Sequence, residues 1–267
     1  MPQSGSQPNK TPPRPFYQAR GYCPACETRT RFVAQTRGFR ASLKCTNCRS
    51  VPRERALANV LGRLRPDWRK LKIHESSPAP RGISVHLAEH CENYVATNYY
   101  PDQELGEVHK GYRCENLEAM TFADNSVDVH VHLDVMEHVN HPDRCVREMM
   151  RTLKPGGLAI FTTPVEADLD ITKRVATYTA DGVEHHEKPE YHGNPAIDGG
   201  ALVTFKYGQD LAQRIKEWEP EFNVQVFNTE IEKLGVMGPY LDVFALIKPG
   251  GRPLGWKQRL RGWIRAN

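Results

Sequence analysis

The chain has 267 residues, 39% of them hydrophobic and 25% charged, with a formal net charge of +4; this suits one large α/β domain with a small appendage. No run of eighteen apolar residues occurs, and the opening MPQSGSQPNKTPPRPF has no apolar signal-peptide core, which argues against a membrane-spanning helix and for a soluble, cytoplasmic protein. The charge is divided unevenly: residues 1–72 carry 16 Lys or Arg against 3 acids (+13), residues 73–247 carry 14 against 29 (−15), and residues 248–267 carry 6 against none (+6). Such asymmetry either makes a basic patch for an anionic partner or lets two modules of one chain attract each other.

Residues 1–15, rich in Pro, Ser, Gln and Asn, are expected to be a flexible tail, because almost nothing in them repays the entropy of ordering. Within residues 16–52, Cys23-Pro24-Ala25-Cys26 and Cys45-Thr46-Asn47-Cys48 form a C-x2-C…C-x2-C pattern, the spacing of a zinc ribbon. Four thiolates close a tetrahedron and leave no position for water, so zinc there would hold the fold rather than do chemistry. Disulfide pairing is the alternative, disfavoured in a reducing cytosol. Thr30–Gln35 and Phe39–Leu43 read as a hairpin around Arg37-Gly38. Cys91, Cys114 and Cys145 have no partner spacing and are expected to be small buried hydrophobes. Residues 53–70 form a connecting segment, whose helix over 53–65 puts Ala56, Leu57, Val60, Leu61 and Leu64 on one face and whose arginines are expected on a solvated face. The ribbon and the domain on its C-terminal side are expected to have separate cores.

From Leu71 the pattern becomes that of alternating strands and helices: a strand over 71–74, a helix over 83–90 and a strand over 94–99. Val127–Leu133 and Leu158–Thr163 are apolar runs of strand length, separated by Cys145, Met149 and Leu153 at helical spacing and by the stop Lys154-Pro155-Gly156-Gly157. In an open parallel sheet ligands bind beyond the carboxyl ends of the strands, which is where Asp134, Glu137 and His138 fall. His130 and His132, inside the strand, are expected to be core histidines satisfied by neighbours.

Residues 181–200, DGVEHHEKPEYHGNPAIDGG, gather His185, His186, His192, Glu184, Glu187 and Glu190. His186 and His192 with Glu190 are candidate metal ligands, and a histidine here could act as a general base; a solvated, turn-rich lid is the plainer reading. A helix over 209–218 and strands over 223–227 and 242–247 follow. Residues 250–267 place Trp256, Leu260, Trp263 and Ile264 at helical spacing among basic residues, a basic amphipathic tail.

The combination D-x-x-x-x-x-D-V-x-E-H-V from Asp128 to Val139, followed by E-x-x-R-x-L-K-P-G-G from Glu148 to Gly157, resembles class I S-adenosylmethionine-dependent methyltransferases of the UbiE type. The resemblance implies an α/β, Rossmann-like seven-stranded methyltransferase sheet over residues 71–249, with the zinc-ribbon module at its N-terminal side. It implies S-adenosylmethionine as cofactor, held by Glu75, Ser76 and Gly82 in the turn after the first strand, by Asn98 on the ribose, by Asn116 and Leu117 at the adenine, and by Asp134. The chain departs from the family where His74-Glu75-Ser76-Ser77-Pro78-Ala79-Pro80-Arg81-Gly82 replaces a glycine-rich turn, and where Asn98 and Asn116 replace acids. The activity implied is methyl transfer to an oxygen or nitrogen of a small polar acceptor, with His138, Asp134 and His186 as candidate bases in that order. Two other readings stand beside it. An RNA base methyltransferase could grip phosphates with the basic ribbon, although the acidic sheet domain is a poor surface for a polyanion. A non-catalytic adaptor could have lost its cofactor. The sequence carries no signal for oligomeric state.

Overall fold

The computed structural model describes residues 14–193 and 199–250. The expected tails over 1–15 and 250–267 lie almost wholly outside those residues. β1 (Tyr17–Cys23) and β2 (Thr28–Ala34) form an antiparallel hairpin, in register from Tyr17 opposite Ala34 to Cys23 opposite Thr28. Its turn is the first cysteine knuckle. The hairpin expected around Arg37-Gly38 does not form: Phe39–Ser42 is a single helical turn, α1, and the remaining edge of β2 is taken by β3 (Lys44–Cys45).

α2 (Pro52–Leu64) starts on a proline whose missing N–H costs nothing at that position, with Glu54 reaching back to accept from Val51 N at 3.2 Å. The expected apolar face is buried, but only Arg63 of its arginines is exposed as expected: Arg55 has no exposed surface, and Arg53 is held by Asp134.

The main sheet then builds in alternation. β4 (Lys72–Ser76), α3 (Gly82–His90), β5 (Asn93–Asn98), the short β6 (Val108–His109) and β7 (Tyr112–Cys114) precede β8 (Val127–Leu133), α4 (Pro142–Thr152) and β9 (Leu153–Thr162). The Lys-Pro-Gly-Gly stretch lies inside β9, beside a register irregularity between Val127 and Val129, so helix passes directly into strand. Six short strands follow: β10 (Lys173–Arg174), β11 (Ala176–Thr179), β12 (Gly182–His185), β13 (Tyr191–His192), β14 (Ala201–Leu202) and β15 (Phe205–Lys206). They pair as β10 with β15, β11 with β12 and β13 with β14, making a pleated cover rather than a bare loop. α5 (Leu211–Trp218), β16 (Asn223–Phe227) and β17 (Val243–Ile247) complete the chain.

The sheet order is β16-β17-β9-β8-β4-β5-β7-β6. β5, β4, β8 and β9 run parallel, β7 is parallel to β5, and β17 is antiparallel between β9 and β16. This is the expected seven-stranded arrangement with one addition, because β6 pairs antiparallel on the outer edge of β7. One face is covered by α4 and α5, with Met149, Leu211 and Ile215 packed against Phe161 and Phe244. The other face carries a single apolar cluster in which Phe32 and Leu43 of the ribbon join Leu57 and Leu61 of α2 and Ile73, Val129 and Ile160 of the sheet. The separate cores expected from the sequence are therefore one core, because the apolar stripe of α2 is shared.

Two histidines bridge three strands. His74 Nδ1 and His130 Nδ1 are 2.8 Å apart, His74 Nε2 is 2.8 Å from Thr97 Oγ1, and His130 Nε2 is 2.8 Å from Thr152 Oγ1. Because Thr152 donates to Glu148 O, it must accept from His130; His130 Nδ1 then accepts from His74, and His74 Nε2 accepts from Thr97. Both rings are neutral. His132 differs from expectation: it stacks on Phe161 at 4.5 Å, and neither ring nitrogen has a partner among the described residues.

Burial pushes the pKa values of His74 and His132 down to about 3 and that of His130 well below its usual range, whereas burial pushes Glu75 up to about 7. The histidine contributions to stability are present above about pH 6.5, where the unfolded chain is also neutral, and are lost as pH falls toward 3. Glu75 acts oppositely, costing stability as pH rises from about 4.5 through 7. Three groups outweigh one, so resistance to urea should rise from pH 5 and level off above about pH 7. Glu75→Gln should add roughly 3 kcal/mol at pH 8 and nothing below pH 4.5. Urea unfolding at both pH values checks this, and a variant no more stable than the parent at pH 8 would refute it.

Candidate functional site

The four ribbon cysteines converge. Cys23 and Cys48 Sγ are 3.7 Å apart, Cys26 and Cys45 Sγ are 4.0 Å apart, and all four sulfurs lie within 4.8 Å of one another. Zn–S bonds of about 2.3 Å require tetrahedral edges of about 3.8 Å, so the spacing suits that ion, and the thiols are free rather than disulfide-bonded. Their protonation also conflicts without a cation. Hydrogen bonds from Cys23 and Cys48 drive Cys45 toward thiolate, while those with Cys45 and Cys48 hold Cys23 as thiol. A divalent cation would let all four ionise. Ser50 Oγ, 3.4 Å from Cys23 and 3.2 Å from Cys48, and Asn47 N, donating to Cys45 Sγ at 3.4 Å, support the sulfurs.

At the carboxyl edge of the sheet, the turn after β4 takes its left-handed residue at Ser77 (φ 54°) rather than at Ser76, which is the last residue of the strand. The small side chain that eases a glycine-like turn is thus one position later than expected. Glu75 lies beneath this turn, accepting from Ser84 Oγ at 2.5 Å and Tyr94 OH at 2.7 Å, which places its carboxylate in the interior. Gly82 is also turned to another use. Its φ is +60°, its N–H donates to Cys48 O at 3.0 Å, and a Cβ there would collide with the Glu54 carboxylate, so it serves the joint between ribbon and α3. Asn98, ending β5, is 8% exposed and its side chain makes no hydrogen bond among the described residues. Asn116 Oδ1 accepts from Glu118 N at 2.9 Å in a turn that also buries Leu117. Glu115, one residue earlier, is a buried acid that no motif in the sequence singles out; it is held by Arg113 and Thr121.

Past β8, Asp134 (φ 53°) accepts from Arg40 at 3.0 Å and from Thr162 Oγ1 at 2.9 Å, and Arg53 Nε lies 2.8 Å away. Both carboxylate oxygens are engaged, and two of the partners come from the ribbon and α2. The next residues build a different cluster. Glu137, in the 3₁₀ turn Met136–His138, is met by His138 and by His192, whose ligating atoms all lie within 4.8 Å. The cover is fastened to this turn: Thr204 N donates to Glu137 O at 2.8 Å, Thr204 Oγ1 to Val139 O at 2.6 Å and Tyr207 OH to Met136 O at 2.7 Å. β14 then carries Ala201 opposite His192, at a point where a Cβ on Gly200 (φ +85°) would strike His192 O. His186 does not join this group. It bonds Thr177 Oγ1 at 2.9 Å on the β11–β12 hairpin.

Residues 80–161 match the family model of the methyltransferase domain. The match covers less than a third of the chain, from the turn before α3 into β9. Among curated relatives, an uncharacterized methyltransferase of Mycobacteroides abscessus is 49% identical over 47 residues, 18% of this chain and 18% of that protein. A ubiquinone biosynthesis O-methyltransferase of Coxiella burnetii is 30% identical over 69 residues, 26% of this chain and 28% of that protein. The chain thus spans less than a third of the length of these relatives. Among solved structures, an S-adenosylmethionine-dependent methyltransferase from Mesorhizobium loti is similar with a TM-score of 0.47 and 13% identity, over 72% of this chain and 98% of that one. Among the described residues, no helix is long and apolar enough to cross a membrane.

Because ribbon and sheet share one core, loss of a metal held by the four cysteines would reach both. Cys45→Ser should lower stability by at least about 3 kcal/mol, a fall of about 6–12 °C in Tm. Circular dichroism should show the sheet melting earlier along with the ribbon. An unchanged sheet transition in the variant would restore the separate-core expectation.

Proposed function

We propose that this chain is an S-adenosylmethionine-dependent methyltransferase that modifies a small polar acceptor, stiffened by a structural zinc ion at Cys23, Cys26, Cys45 and Cys48. The observation that carries the reading is the carboxyl edge of the parallel sheet. A left-handed turn at Ser77, a buried and unengaged Asn98 amide and a histidine-carboxylate cluster stand there on neighbouring strands. Bound there, the cofactor would supply an electrophilic methyl group on a sulfonium. The chain's own residues would hold and orient. Asn98 accepts from a ribose hydroxyl, the Ser76-Ser77 turn brings backbone close to the amino-acid end, and Leu117 beside Asn116 gives an apolar wall for adenine.

On the acceptor side, His138 donates from Nδ1 to Leu202 O at 2.8 Å, which leaves the Nε2 lone pair turned into the cluster. A hydroxyl acceptor would lose its proton there. Asp134 is assigned a positioning role instead, since its oxygens are already committed to Arg40, Arg53 and Thr162. His186, engaged with Thr177 on the outer hairpin, is assigned no role in the chemistry. The small-acceptor reading is preferred to RNA because Arg40, one of the basic residues that would grip phosphate, is spent on Asp134.

Isothermal calorimetry with S-adenosylmethionine tests this reading. The amide should bind more weakly than a carboxylate: a charged acceptor is worth about 1 kcal/mol more than a neutral one, so Asn98→Asp should tighten binding about fivefold. Asn98→Leu should abolish it. No heat of binding for the native chain or for Asn98→Asp would sink the enzyme and leave an adaptor.

A further inference from the structure

Glu137 is 2% exposed, yet only one of its carboxylate oxygens is satisfied. Thr163 Oγ1 donates to Oε2 at 2.9 Å, whereas Oε1 is buried and accepts no hydrogen bond among the described residues. Leaving such an acceptor stripped of water costs on the order of 1–3 kcal/mol or more. Two imidazole nitrogens face it, His192 Nδ1 at 3.7 Å and His138 Nε2 at 3.9 Å, with the rings perpendicular and 5.0 Å apart. These separations are too long for hydrogen bonds but close to the roughly 3.4 Å between ligand atoms of a tetrahedral ion with bonds near 2.1 Å.

The remaining ring nitrogens are held from outside. His138 Nδ1 donates to Leu202 O at 2.8 Å, and His192 Nε2 lies 3.4 Å from Glu190 Oε1. A proton fixed on each of those nitrogens leaves a lone pair on each nitrogen that faces Glu137. Outer oxygens that fix a tautomer in this way are the usual surroundings of histidine ligands.

The geometry points to a divalent-cation site made of Glu137 Oε1, His138 Nε2 and His192 Nδ1, separate from the four cysteines, which presents its open positions to an oxygen acceptor. One carboxylate and two imidazoles suit a first-row ion such as Mn²⁺, Fe²⁺, Co²⁺ or Zn²⁺, and three protein ligands leave room for substrate. The identity of the acceptor rests on the methyltransferase reading; the cation does not. Oxygen is favoured over nitrogen by electron count. An amine gives its one lone pair to the cation and has none left for methyl, whereas a hydroxyl bound to the cation loses its proton readily and keeps lone pairs. That oxygen forms the new O–CH₃ bond as the C–S⁺ bond breaks and its electron pair returns to sulfur. With the cation in place His138 Nε2 is a ligand instead of the base it would be without metal, so the acceptor proton leaves to solvent.

Full-length protein with its cysteine site loaded with zinc should be titrated with Mn²⁺, with free Mn²⁺ followed by electron paramagnetic resonance. One additional Mn²⁺ per chain is expected. His192→Ala and His138→Gln should each weaken it by at least about tenfold. His186→Ala, on the outer hairpin, should leave it unchanged. His192 lies on the half-buried cover, so its variant is a ligand test that does not require core repacking, and circular dichroism verifies the fold. No binding up to millimolar Mn²⁺, or binding indifferent to both ligand variants, would overturn the site and leave Glu137 and His192 as a loose ion pair. Calorimetry with S-adenosylmethionine on the same samples separates the two claims: Mn²⁺ bound without cofactor keeps the cation site and removes the methyltransferase reading, and cofactor bound without Mn²⁺ does the reverse.

Discussion

The guanidinium of Arg55 ties the ribbon and α2 to a stretch of chain 180 residues away in sequence. It donates to Leu43 O at 3.0 Å, to Gly235 O at 2.6 and 3.1 Å and to Ser50 O, with its plane 4.7 Å from the Phe32 ring. Burial lowers its pKa, and negative charge on Cys23, Cys45, Glu54 and Cys48 raises it. An unpaired buried cation costs several kcal/mol. Zn²⁺ held by the four thiolates would carry a net charge of about −2, which the guanidinium would complement at short range. Removing either would then leave the other stranded in the interior. The ribbon, α2 and the loop before β17 are therefore one electrostatic unit as well as one apolar core.

That unit decides what the carboxyl edge of the sheet is free to do. Arg40 and Arg53 reach Asp134, Arg81 reaches Glu54 at 2.8 Å, and Cys48 O receives the Gly82 N–H. Asp134 and Gly82, two positions at which the family resemblance implies cofactor contacts, are consumed by the attachment of the ribbon. The charge asymmetry along the chain has the same origin in part: basic residues before position 72 find acids of the sheet domain, so two modules of one chain attract each other.

Much of the architecture is legible because it depends on periodicity. Val127–Leu133 reads as a buried strand and α2 as an amphipathic helix from side-chain order alone, and both lie where expected. Phe39–Ser42 misleads because an apolar run does not tell whether a neighbouring edge is open; β3 already occupies it. The cysteine spacing announces the sulfur cluster because each pair needs only a local turn. The Glu137 cluster needs more. Glu137 and His138 stand in a recognisable Glu-His pair after a strand, but His192 reaches them only through the pairing of β13 with β14 and the anchoring of Thr204 and Tyr207. No local pattern reports contacts of that range, which is why the sequence points to His186, a neighbour in the same polar stretch, as readily as to His192.

The same dependence bears on how the site works. Glu137 and His138 belong to the sheet edge, whereas His192 belongs to the cover, and the outer support of both histidines comes from the cover: Leu202 holds His138, and Glu190 holds His192. Lifting the cover would remove one nitrogen from the cluster and loosen the tautomer of the other. It would also return water to Glu137 Oε1, which has no protein donor of its own among the described residues. The Glu137 cluster is thus complete only with the cover in place, and three hydrogen bonds from Thr204 and one from Tyr207 hold it there. Closure of the cover and assembly of the Glu137 cluster would be one event, because His192 reaches Glu137 only on the β13–β14 pair.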